Sequence, residues 1–490
     1  MSILKRINPF IVLGIFSLSS HHSFSHEGHD EPDIILPQQL GELGTVAFAS
    51  SCGTEQQKAI NTGVALLHHM MYAQAEKHFA EWVKRSPQCA IMYWGYSMSL
   101  FHPLWPDKIT EKASARGAEA ITKAKTLSSS QREADYIKAA AAYYNKWQNT
   151  AESKRISDWA NSHKKLAELY PEDIDAVAFY ALAQLVMASK KDPSFSQNIQ
   201  AGKLLAKLLI SNPDHPGAIH YTIHAYDTPL LAEKAIDAAR AYDKIAPDVP
   251  HALHMPSHIF VRLGMWEDAK NWNIRSAKAA LKYPSNGQTS MHYVHAIDYL
   301  VYSYMQLNQK DLAQQAFDNI GSHLPLQPTF PAAYALSSIP ARIALESHQW
   351  GSASQIPVRT SSYINWEQFP HIEAITYFSR GIGAARINNI KAAKENLAVL
   401  YQLLEKTQQT SPAYWAVLVD AQAQAVSAWV SYAQGDTQAA ITQLAKAADL
   451  EDSVDKTPVT PGAVLPIREL LGDMLAMTGD LANANLAYQN

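Results

Sequence analysis

Five times in the second half of this 490-residue chain, a glycine or asparagine stands five residues before a small alanine. The pairs are Gly264/Ala269, Asn308/Ala313, Asn388/Ala393, Gly435/Ala440 and Gly479/Ala484. Glycine and asparagine tolerate the left-handed backbone of a tight turn, and a small side chain lets two helices approach closely. Each pair therefore reads as the turn of a helix–turn–helix hairpin. Alanine-rich amphipathic stretches punctuated by Pro, Gly or Asn run from about Gln56 onward, and no sustained alternation suggests strands. The pattern constrains the chain to an all-α stack of hairpins.

The spacing goes further than turns. Gly63, Ala75, Phe79 and Pro87 form a G…A-x3-F…P pattern; Ala313, Phe317 and Pro325 repeat its second part, and Ala235, Ala239 and Pro247 follow it with alanine in place of the aromatic. This resembles the tetratricopeptide-repeat superfamily, over most of residues 56–490. The phrases HPGAIHYTIHAYDTP, PHALHMPSHIFVRLGMW and VDKTPVTPG…PIRELLGDML also resemble an uncharacterised group of exported bacterial tetratricopeptide proteins with a histidine-rich groove. The resemblance implies a right-handed solenoid of helix pairs over residues 51–490. Some units are longer than usual, since Ala269 to Ala313 and Ala440 to Ala484 each span 44 residues. The last unit reaches Asn490 just past Tyr488, so that end is expected to fray or to pack on a partner.

Eight of the 20 histidines fall between His215 and His295. His220 and His224 are answered by His254 and His258, an offset of 34 residues for both members, which is the length of one tetratricopeptide unit. Residues four apart share one helix face. In the resembled superfamily the first helix of each unit lines the concave surface. Aligning Ala235, Ala269 and Ala313 then puts His220, His224, His251, His254, His258, His295, Asp298 and Tyr302 on that surface, and the first unit adds His68. The central units, about residues 215–325, are thus expected to present a histidine-lined groove.

Three uses of that ladder stay open. Imidazoles on adjacent helices, roughly 8–10 Å apart, can converge on Cu or Zn, with Asp298 or Asp227 completing a site or orienting a ring. They can instead hydrogen-bond a peptide, protein or small ligand, or simply one another. The metal version takes His220, His224, His254 and His258 as ligands. No HExxH, CxxC or CxxCH occurs, so protease-type zinc, zinc-ribbon and c-type haem readings lose their usual support. No nucleophile triad, phosphate-binding glycine loop or paired-carboxylate motif names a reaction. Tyr93, Trp94, Tyr96, His102 and Trp105 read as core or as a groove floor, and Thr457–Gly462 as a rigid loop before a helix.

The remaining composition sets the compartment and the partners. Hydrophobic content of 47% and charged content of 18% describe a folded chain. A net charge of −4 offers no basic stripe for nucleic acid. Lys5 and Arg6, the apolar run Ile11–Leu18 and Ser23-Phe24-Ser25 make residues 1–25 a signal peptide. The run is too short to span a bilayer, so a secreted, periplasmic protein without membrane insertion is expected. Residues 26–50 read as a polar linker. Cleavage after Ser25 would expose His26, which with His29 forms either a Cu(II)-chelating terminus or a solvated tail. Two cysteines, Cys52 and Cys89, in an oxidising compartment predict a disulfide. The leading expectation is an exported binding scaffold for a protein or peptide. The alternative is a copper- or zinc-handling protein or metal-dependent enzyme.

Overall fold

In the computed structural model, residues 41–489 are described, except 106–108, 190–191, 286 and 458; the signal-peptide stretch and residues 26–40 lie outside them. The described chain forms successive antiparallel helix pairs, from Thr54–His68 with Tyr72–Arg85 through to Ile467–Met477 with Leu481–Gln489. Each helix packs mainly on its sequence neighbours, as a solenoid of stacked helix pairs requires. No named strand occurs among the described residues, only two isolated bridges. Among the described residues, no helix is long and apolar enough to cross a membrane.

The turn chemistry read from the sequence is what closes the hairpins. Gly264, Asn308, Asn388, Gly435 and Gly479 all have positive φ, between 54° and 91°. Met70 and His348 occupy the same left-handed position before Ala75 and Ala353, with φ of 53° and 54°. An L-residue with a side chain pays roughly 1–2 kcal/mol there. The small-residue contacts are equally literal. Phe79 is wholly buried between two first helices, and a Cβ on Gly63 or Gly95 would lie 2.3 or 2.2 Å from its ring. Cys52 and Cys89 are bonded, with Cα atoms 5.8 Å apart, fastening the start of the first pair to the start of the second.

Two features of the solenoid determine where its histidines end up. First, it curls tightly enough that helix Thr54–His68 touches helix Pro216–Tyr226. A Cβ on Gly217 would meet the His68 ring at 2.5 Å. Second, segments with no helix fill the inner face. Residues 41–50 belong to the stretch 26–50 that reads as a polar linker, yet Phe48 is fully buried, stacked on Trp94 (5.1 Å) and edge-on to Tyr136 (4.8 Å). Thr45 N–H donates to Asp214 O, His69 Nε2 donates to Leu43 O, and Arg132 reaches Ala49 O. Farther along, residues 453–457 and 459–466 fold against the central helices: Tyr299 OH donates to Thr460 O, and Arg262 pairs with Asp455. The apolar core divides into two clusters that meet at helix Met291–Gln306, whose Tyr299 joins the first and whose Ile297 and Leu300 join the second. The histidines gather beside this seam.

Candidate metal centre on the inner face

Helix Pro216–Tyr226 carries His220 and His224; helix Pro250–His254 carries His251 and His254; Pro256–Arg262 carries His258; and Met291–Gln306 carries His295. Pro256 has no N–H to donate, so the ladder breaks between His254 and His258. Ser257 Oγ instead donates to His254 O at 2.6 Å. The two imidazoles still share a face.

The structure sorts these residues differently from the sequence expectation of one four-histidine site. It forms two trios, His220/His224/His251 and His254/His258/His295, and within each the potential ligand atoms lie within 4.8 Å of one another. Each i, i+4 pair is completed by a histidine from the following unit. The expectation of groove-exposed rings is also corrected, since His220, His251, His254 and His258 are buried. The curled solenoid and the residues laid along its inner face exclude the water that an open groove would admit.

Hydrogen bonds fix the ring orientations. Asn273 Nδ2 donates to Ala269 O, which leaves Asn273 Oδ1 as the acceptor for His254 Nδ1–H at 2.8 Å. Asp227 Oδ2 accepts from His258 Nδ1–H at 3.0 Å. Both rings therefore carry their proton on Nδ1, and their two Nε2 lone pairs face each other at 3.0 Å. In the first trio His220 Nδ1–H donates to His68 O at 2.6 Å, so its Nε2 is also a lone pair, 3.1 Å from His224 Nε2. His251, buried, has no hydrogen-bond partner on either ring nitrogen. Burial, reinforced by neighbouring imidazoles, holds His220, His251, His254 and His295 well below the ordinary histidine range. Burial lowers His224 to about 3. These rings are neutral at neutral pH, which is the form that binds a cation.

A third group, His68, Asp175 and His215, also gathers within 4.8 Å but is already satisfied. Asp175 Oδ1 accepts from His68 Nε2 (3.0 Å) and from His215 Nε2 (3.2 Å). His68 Nδ1 accepts from Tyr221 OH, and His215 Nδ1 caps its helix by accepting from Ala218 N–H. No imidazole lone pair is left for an ion. His68, expected in the groove, is thus a structural hydrogen-bond partner.

Two further expectations are corrected. Asp298 and Tyr302 belong to neither trio. Asp298 Oδ1 accepts from buried Arg342 (2.8 Å) and from Ser338. Tyr302 lies beneath that guanidinium (5.2 Å) and against Gly462. They lie on successive turns of the face that meets helix Phe330–Glu346. Among the aromatics, Trp94 is core, whereas Trp105 is half-buried and walls the site, its ring 5.8 Å from His251 and 5.9 Å from His292. Sequence reasoning missed His292 and Asn273; a histidine three before His295 was the available signal for the first. His26 and His29 lie outside the described residues.

No protein-family model matches the chain, and no curated protein matches it. Among solved structures it is similar to Naa15/Naa10 bound to HypK-THB, at 13% identity over 89% of this chain and 68% of that one, with a TM-score of 0.26. It is similar to the P58(IPK) TPR domain at 13% identity over 87% and 99%, TM-score 0.24. It is also similar to yeast Tom70, at 12% identity over 88% and 96%, TM-score 0.30.

Proposed function

We propose that this protein binds transition-metal ions, copper or zinc, through the two three-histidine sites on the inner face of its solenoid. The observation that carries the reading is the His254–His258 pair. Two neutral imidazoles whose Nε2 lone pairs oppose each other at 3.0 Å repel unless a cation lies within reach of both. A shared proton would satisfy them, but burial opposes protonation of both rings. A metal ion needs their neutral form, and Asn273 and Asp227 hold the rings as outer-shell partners hold metal-bound histidines. Imidazole-only ligation suits Cu or Zn, and three protein ligands leave a position for water or another small ligand.

Elemental analysis of purified mature protein tests this. Copper or zinc at stoichiometric level is expected, and it should fall sharply in His254→Ala and His258→Ala. A metal-free protein that takes up neither ion in titration overturns the proposal.

A second reading, a protein- or peptide-binding scaffold, is supported by residues 41–51, a stretch without helix that hydrogen-bonds His69, Arg132 and Asp214 as a bound peptide would. A folded chain lacking residues 1–51 should then bind a labelled peptide of residues 41–51, measured by fluorescence anisotropy; failure to bind counts against it. Export remains part of the proposal, supported by the Lys5–Ser25 pattern and the Cys52–Cys89 bond. N-terminal sequencing should find a chain beginning near His26, and intact Met1 protein in the cytoplasm would overturn it.

A further inference from the structure

We infer that the two three-histidine sites form one dinuclear centre whose ions share a small bridging anion such as hydroxide. This rests on the metal reading above and adds to it the coupling of the two ions and the class of their common ligand.

Adjacency is the first argument. His251 of one trio and His254 of the other stand on the same short helix, their ring centres 6.5 Å apart. The trios therefore adjoin each other through His251 and His254.

Charge is the second argument. Each trio offers only neutral imidazoles, so two divalent ions would enter a buried site with their charge uncompensated by any ligand in the trios. The carboxylates around it are engaged elsewhere. Asp227 faces His258, Arg262 (2.9 Å) and Lys456 (3.7 Å), Asp455 pairs with Arg262, and Asp175 is held by His68 and His215. Isolated charge in a low-dielectric interior is strongly disfavoured. An anion from solvent placed between the ions offsets both at once, and binding to the cations lowers the pKa of a water enough to supply it as hydroxide.

Access is the third. A cavity of about 300 Å³ is lined by His102, Leu104, Trp105 and Arg116. The Trp105 ring separates it from His251 and His292. A small inorganic anion reaching the centre past that ring fits this approach better than a peptide does.

The test uses the full mature chain loaded with Cu(II), with copper measured by elemental analysis and by integrated EPR intensity. Two coppers per chain with most of the EPR intensity lost, through spin coupling across the bridge, is the expected result. Azide should then perturb the absorption spectrum at one azide per copper pair. Two coppers with full EPR intensity, or one copper per chain, overturns the shared centre but leaves metal binding intact. Absence of tight copper binding overturns the underlying metal reading instead. In His295→Asn, one copper should remain and regain the signal of an isolated ion. Should that variant fail to fold, the wild-type measurement still decides.

Discussion

Asn273 Oδ1 accepts the Nδ1–H of His254 at 2.8 Å, from a helix that supplies no imidazole to the site. The bond sets which nitrogen of His254 faces His258, because an imidazole that donates from Nδ1 keeps its lone pair on Nε2. Replacing Asn273 by Ala leaves all six imidazoles in place but frees the His254 ring. Metal affinity should fall about 10–100-fold, the usual cost of losing an outer-shell partner, with the metal stoichiometry unchanged at saturation. Competition against a chromophoric chelator measures this. An unchanged affinity would mean that the tautomer is not what prepares the site.

The fold was legible where one residue type performs one local task. Gly264, Asn308, Asn388, Gly435 and Gly479 each take the left-handed turn that their identity suggests. Met70 and His348 take the same turn without announcing it, so the pairs they close lacked a turn signal. The site was half legible. A 34-residue offset located the histidine pairs, but it could not say that His251 joins His220 and His224 while His295 joins His254 and His258. The burial of the trios was illegible too: it depends on the contact of helix Thr54–His68 with Pro216–Tyr226. It also depends on Phe48 and Thr460, which local sequence gives no reason to place on the inner face.

Acid should weaken the metal-free protein well before its surface carboxylates titrate. Burial lowers His163 to about 4 and His68 to about 4, and lowers His69 to about 3. Below pH 6.5 the unfolded chain takes up protons at these positions while the folded chain does not. Stability is therefore lost as pH falls from about 6.5 towards 4, and is unaffected by these groups above that window. One such residue contributes up to about 3 kcal/mol of that loss. Urea midpoints between pH 7.5 and 4.5 test the slope. His163, far from the metal centre along the chain, is the clean probe: His163→Gln should flatten the profile, and an identical profile would refute its neutral burial.

Reducing Cys52–Cys89 should cost about 2–4 kcal/mol, by the chain-entropy account of cross-links. In a solenoid whose units contact mainly their neighbours, that cost stays local. Hydrogen exchange should rise in helices Thr54–His68 and Tyr72–Arg85 more than in Ala413–Ala433. The curl adds one longer route, because His220 Nδ1 donates to His68 O, the end of the first helix. Reduction is therefore expected to loosen His220 and weaken metal binding modestly. Uniform exchange along the chain would contradict the local picture.

Asp298 separates site from core. It shares helix Met291–Gln306 with His295, yet its carboxylate meets Arg342, and both side chains are buried. Removing one partner of a buried ion pair strands the other charge without solvent, at about 3–5 kcal/mol. Here Arg342 Nε and Nη2 make no hydrogen bonds, and the other carboxylate near it, Glu346, stands 3.9 Å from Nε. Asp298→Ala should lower the denaturation midpoint markedly while the folded fraction keeps the metal stoichiometry of the parent. His295→Ala should do the reverse, losing metal for a smaller change in the metal-free stability, because its neutral ring leaves no charge behind. Denaturant titration of the metal-free proteins, paired with metal analysis of the folded ones, reads both quantities. If Asp298→Ala instead lost metal at unchanged stability, the carboxylate would be a ligand, and the assignment of Asp298 to the core would be wrong.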